Sequence, residues 1–171
     1  MATFTWSPDS TVQIDASSSV HPIHRDLPGI RGEARADVRD GALDVGPSAS
    51  GYIEADVDAL RSGNRLEDFE LRRRLDAKKF PTMRYEVRGV DGGPGTFKVT
   101  GALTFHGVTR EFVEECAARI EGGALHVDAE HTFDIRDFDV KPPKLGPLQV
   151  RPEVKITLHL VGRESAGSSW G

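Results

Sequence analysis

The sequence predicts an all-β protein, an antiparallel up-and-down β-barrel of about eight strands with a short helical insertion. Three observations predict it. Apolar and polar residues alternate with period two along most of the chain, as in strands that bury one face. Glycine-rich turn signals separate these runs, and strands joined by short turns must be antiparallel. One segment, residues 61–80, loses the alternation and carries Leu66, Phe69, Leu71 and Leu75 at helical spacing.

The strands follow in chain order. Residues 31–38 set Gly32, Ala34, Ala36 and Val38 against Arg31, Glu33, Arg35 and Asp37. Residues 52–59 set Ile53, Ala55, Val57 and Ala59 against Glu54, Asp56 and Asp58. After the helical segment Pro81 ends the helix, and Met83, Tyr85 and Val87 resume the alternation. Phe97, Val99, Gly101, Leu103 and Phe105 form the next row. Phe112, Cys116, Ala118 and Ile120 form another, which Glu114 interrupts. Leu125, Val127, Ala129, His131, Phe133 and Ile135 complete a three-strand meander over residues 97–135. Val154, Ile156, Leu158 and Leu160 give the closing strand. Turns are expected at Asp40-Gly41, residues 92–95, His106-Gly107 and Gly122-Gly123. Residues 141–147 hold three prolines and are expected as a rigid loop. One barrel domain is expected over residues 1–163, with a disordered tail over 164–171.

Composition excludes several function classes. The 27 acidic residues outnumber the 22 basic ones, for a net charge of -5, so nucleic acid is not an expected partner. A single cysteine, Cys116, permits no internal disulfide. No apolar run approaches the ~18 residues of a spanning helix. No charged start leads into an apolar run after Met1, so the expected location is cytoplasmic.

Small inward residues (Gly32, Ala34, Ala36, Ala55, Ala59 and Gly101) predict a lumen that its own lining leaves unfilled. Empty apolar space is costly, so such a lumen favours an apolar guest. The competing outcome is a centre closed by Phe97, Phe105, Phe112 and Phe133, and the pattern leaves both open.

The residues 101–110, G-A-L-T-F-H-G-V-T-R, resemble the G-x-L-T-x-x-G-V-T-R signature of the YceI-like family. Asn64, Asp68, Leu71 and Arg72, then the D-A-K-K-F-P-T run of residues 76–82, are similar to that family's helical insertion and following strand start. The closing strand over residues 152–161 is a third match. The resemblance implies a lipocalin-like barrel, a polyisoprenoid or similar long lipid as partner, and a homodimer. Glu67, Glu70 and Glu111 depart from the family pattern.

The expected function is therefore non-catalytic binding, storage or transport of an isoprenoid-like or fatty-acid-like lipid. The expected tunnel wall is Ile53, Val57, Met83, Tyr85, Val99, Leu103, Phe105, Phe112, Leu125, Val127, Phe133, Ile156 and Leu158. The head-group candidates are two basic clusters, His21, His24 and Arg25, and Lys141 and Lys144, through charge-assisted hydrogen bonds. No cofactor and no metal are expected. His21-x-x-His24 supplies two ligands where zinc takes three or four, and His126, Asp128 and Glu130 face outward. No G-x-S-x-G, phosphate-loop or H-E-x-x-H motif occurs, so no catalytic residue is assigned. Cys116 reads as strand packing, and His106 as a turn residue. The alternative is a protein-interaction module that uses residues 61–80, with Arg72, Arg73 and Arg74, on a barrel scaffold.

Overall fold

The computed structural model describes residues 1–19, 21–61, 64–142, 144–145 and 148–165. Its strands are β1 (Ala2–Trp6), β2 (Thr11–Ser17), β3 (Pro22–Asp26), β4 (Arg31–Arg39), β5 (Ala42–Asp44), β6 (Ser50–Asp56), β7 (Thr82–Gly92), β8 (Thr96–Phe105), β9 (Val108–Glu121), β10 (Ala124–Asp134), β11 (Lys144–Leu145), β12 (Leu148–Gln149) and β13 (Glu153–Glu164). One helix, α1 (Arg65–Leu75), follows β6.

Eight strands close the barrel in the order β1-β4-β6-β7-β8-β9-β10-β13, and β13 returns to β1. All pairings are antiparallel. Strand β13 makes closure possible because it is long enough to serve two partners on one edge. Lys155 to His159 pair with β2, and Gly162 to Glu164 pair with β1. The β2–β3 hairpin therefore continues the β13 edge beyond β1, and Val12 of β2 is buried with Leu27, Ala55 and Leu160. Closure leaves few unpaired edges, which would otherwise invite aggregation.

Strands β1, β2 and β3 lie in a stretch whose alternation is too short to read. They are fixed by partners far along the chain, such as Trp6 opposite Gly162. Residues 57–59 form a 3₁₀ turn rather than continuing β6. The 141–147 stretch, expected as a loop, enters a small hairpin in which Lys144 pairs with Gln149; Pro143, Gly146 and Pro147 lie outside the described residues. Strand β13 runs on through Glu164, and Ser165 N donates to Thr3 O. The tail expected beyond it lies, over residues 166–171, outside the described residues.

Helix α1 starts at Asn64, whose side chain accepts from the backbone N–H of Leu66 and Glu67, as an N-cap does. It ends at Asp76 in the left-handed region. Its polarity is inverted. Leu66 and Phe69 are exposed, while Glu67, Asp68 and Glu70 are buried beside Leu75. Helical spacing gave the helix but not its inner face, because the burial of α1 is set by what it covers.

The helix and two 3₁₀ turns, Val57–Ala59 and Ile135–Phe138, plug one end of the barrel. Val57, Leu75, Phe105, Ile135, Phe138 and Val140 are buried together there. Phe138 is fully buried and meets Phe105 and Phe133 edge to face, at centroid distances of 5.7 and 5.4 Å, a favoured aromatic geometry.

The outer wall carries charge ladders. Arg31 reaches Glu54 and Asp56, and Arg84 bridges Glu54 and Glu86 while lying 4.0 Å above the Tyr52 ring. The Arg31 hydrogen bond, with Arg84 behind it, holds the Glu54 carboxyl below the usual carboxylate range. A depressed pKa stabilises the fold in full above the unfolded value, and that contribution is lost as pH falls through the folded one. Glu54→Gln is thus expected to cost stability at neutral pH, and the deficit should shrink on acidification toward about pH 3. Denaturant midpoints across that range measure it; a pH-independent deficit would refute the account.

Candidate functional site

An apolar cavity of about 250 Å³ occupies the barrel interior. That exceeds the ~150 Å³ engineered cavity known to stay dry and take up benzene. Near the plug its wall is Met83, Leu103 and Phe112; at the other end it reaches Val90, Phe97 and Leu125, with Leu43 of β5 and Val45 after it. Trp6 contributes its ring and satisfies its indole N–H on Tyr52 O at 2.9 Å.

The space comes from small side chains. Alanines 34, 36 and 55, expected as small inner residues, line the cavity, and Ala118 and Ala129 join them. The glycines do something else. A Cβ on Gly32 (φ +139°) would lie 2.2 Å from Tyr52 O, so its backbone geometry excludes a side chain. A Cβ on Gly101 would lie 2.0 Å from the Tyr85 hydroxyl. Gly101 leaves room for the Tyr85 ring, not for a guest.

Of the expected tunnel wall, Ile53, Met83, Tyr85, Val99, Leu103, Phe112, Leu125, Val127, Ile156 and Leu158 face the cavity. Val57, Phe105 and Phe133 do not; they pack into the plug. Val57 lies there because β6 ends before it and the chain turns inward. Phe105 and Phe133 are at the plug ends of β8 and β10.

None of the five basic head-group candidates lines the cavity. His24 and Arg25 are exposed on β3, outside the ring, and His24 bonds to Asp15, which raises its pKa. His21 is 3.6 Å from Glu67 of α1. Lys141 and Lys144 are exposed. Nearness in sequence to a strand start did not mean nearness to the lumen: Val12 of β2 and Leu27 after β3 reach the cavity, while His24 and Arg25 lie exposed.

Polar groups do occur inside. Glu114 and His131 both line the cavity and hydrogen-bond to each other. Cys116 and Tyr85 lie on the same wall. Burial pushes the Tyr85 phenol up to about 12, with Cys116 and Glu114 adding to it, and pushes the Cys116 thiol up to about 11. Both stay protonated at neutral pH. The sequence signal for this cluster was Glu114 itself, the charge that broke an apolar row. Among the described residues no group of three or more His, Cys, Asp or Glu could hold a metal ion, and no helix is long and apolar enough to cross a membrane.

A family model described as YceI-like domain matches residues 11–162. Among solved structures, Burkholderia cenocepacia BcnA superposes with a TM-score of 0.74 at 20% identity, over 89% of this chain and 95% of that one. A mutant CJ YCEI protein crystallised with a monobromobimane guest gives 0.63 at 13% identity, over 81% and 82%. The Campylobacter jejuni YCEI protein gives 0.56 at 15%, over 78% and 81%. At such identities the likeness concerns the fold. No curated protein matches the chain.

Proposed function

The chain belongs to the YceI-like family, whose barrels bind lipids, and on that premise we propose that it binds and carries a long isoprenoid-like or fatty-acid-like lipid in its lumen, without catalysing a reaction. The observation that supports this reading is the apolar cavity that the barrel's own side chains leave unfilled. Each buried methylene contributes about 0.8 kcal/mol, so a long chain binds tightly without directional contacts.

Lipid extraction of the purified protein, followed by mass spectrometry, tests it. An elongated amphiphile at near-stoichiometric amounts is the expected result. Cys116 supplies a second readout, since its thiol lies on the lumen wall. Iodoacetamide should modify it slowly near pH 7.5, because the thiolate is the reactive form, and a filled lumen should slow it further. Fast labelling, indifferent to added lipid, would remove the support for an occupied interior.

The exposed Leu66 and Phe69 on α1 favour a second reading, a protein-contact surface on the 61–80 insertion. It predicts a partner whose capture survives blocking of the lumen and is lost in Leu66→Ser/Phe69→Ser.

A further inference from the structure

Building on the lipid-binding reading above, we propose that the Glu114–His131 pair is the head-group site, and that it selects a long apolar chain ending in an uncharged hydroxyl over the same chain ending in a carboxylate or phosphate. The pair sits where the β9–β10 ladder has ended. That ladder runs from Glu121 opposite Ala124 to Ala117 opposite Asp128. The same register carried three residues further sets Glu114 opposite His131. Both side chains face inward, and His131 Nδ1 bonds to Glu114 Oε1. The imidazole is held between Phe112, at 4.2 Å between centroids, and Phe133, nearly parallel at 6.1 Å.

The arrangement leaves polar positions open toward the lumen. His131 Nε2 is buried with no hydrogen-bond partner among the described residues, a costly state for a polar atom. Glu114 Oε2 has no hydrogen bond among the described residues. The Tyr85 hydroxyl likewise bonds to no group among them, and it remains a donor because burial keeps it protonated. A hydroxyl both donates and accepts, so it can serve a carboxylate oxygen and a phenol or ring nitrogen together. An anionic head would bring a second negative charge beside Glu114 in apolar surroundings, where like charges repel strongly. The exposed cations on β3 and around β11 do not line the lumen, and the two arginines that do, Arg35 and Arg84, are already paired, with Glu33 and with Glu54 and Glu86. A bare alkane leaves the open positions unfilled.

The test is displacement of a fluorescent lumen probe, N-phenyl-1-naphthylamine, by three compounds of equal chain length delivered from cyclodextrin: 1-hexadecanol, hexadecanoate and hexadecane. The wild-type protein is expected to prefer the alcohol over both others by about tenfold, the scale of one well-placed hydrogen bond. Glu114→Gln keeps the shape and removes the carboxylate, so the tenfold preference of alcohol over hexadecanoate should fall to about parity. His131→Leu/Glu114→Leu should erase the preference of alcohol over alkane. If all three displace the probe equally from the wild type, or if the acid penalty survives Glu114→Gln, the head-group assignment is wrong and the lipid-binding reading stands. If none displaces it, and no lipid is extracted either, that underlying reading fails. The wild-type ranking decides the matter even where a variant does not fold.

Discussion

Phe138→Ala is expected to cost about 3–5 kcal/mol of stability, the range for removing a large buried aromatic. Phe138 is fully buried and touches Phe105, Phe133 and Phe112 at 5.7, 5.4 and 6.4 Å between centroids. It closes a 3₁₀ turn, Ile135–Phe138, that begins at the Asp134 cap and ends at Asp139 in the left-handed region. A 3₁₀ turn repeats every three residues, so Ile135 and Phe138 enter the plug together. The elements around Phe138 meet it from different strands and cannot collapse into the gap without breaking the ring. Urea unfolding with an unchanged slope would give the value. A loss below about 1 kcal/mol would mean that the plug is not the keystone of this end.

Ala118→Phe is expected to weaken lipid binding by about 100-fold while the fold survives. Ala118 lies on the cavity wall opposite Val127. A cavity of ~150 Å³ accommodates one benzene, so a phenyl group occupies a large share of the 250 Å³ present. Excluding three or four methylenes at about 0.8 kcal/mol each gives roughly two orders of magnitude in affinity. Probe titration measures the loss, and an unchanged thermal midpoint shows that the barrel has accepted the ring in empty space. Full binding by this variant would mean that the guest sits elsewhere.

The alternating rows of β4, β6 to β10 and β13 were legible because period two is a local property. A residue's neighbours two positions away state which face is buried. The 61–80 helix was legible from the loss of that period. The cavity wall followed for ten of thirteen residues, since inward on a barrel strand means lumen along most of its length. Val57, Phe105 and Phe133 failed because height along the axis, not facing, decides between lumen and plug. Strand ends do not announce that height.

The polar side chains tell the same story in reverse. Glu114 looked like an interruption, and His131 like one apolar-row member among others. Only the apposition of β9 and β10 turns them into a pair. His24, Arg25, Lys141 and Lys144 looked like a mouth, and the fold leaves them exposed and off the cavity wall. Helix α1 presents Leu66 and Phe69 to solvent against its own periodicity, because contacts with distant segments determine its buried side.

Local alternation and turn chemistry in the sequence therefore determined the strands, their antiparallel sense and the apolar inner face. Tertiary structure decided which inner residues fill the plug, which leave space, and which charges meet inside. Those outcomes depend on how strands distant in sequence align along a common axis, and no short-range pattern encodes that alignment.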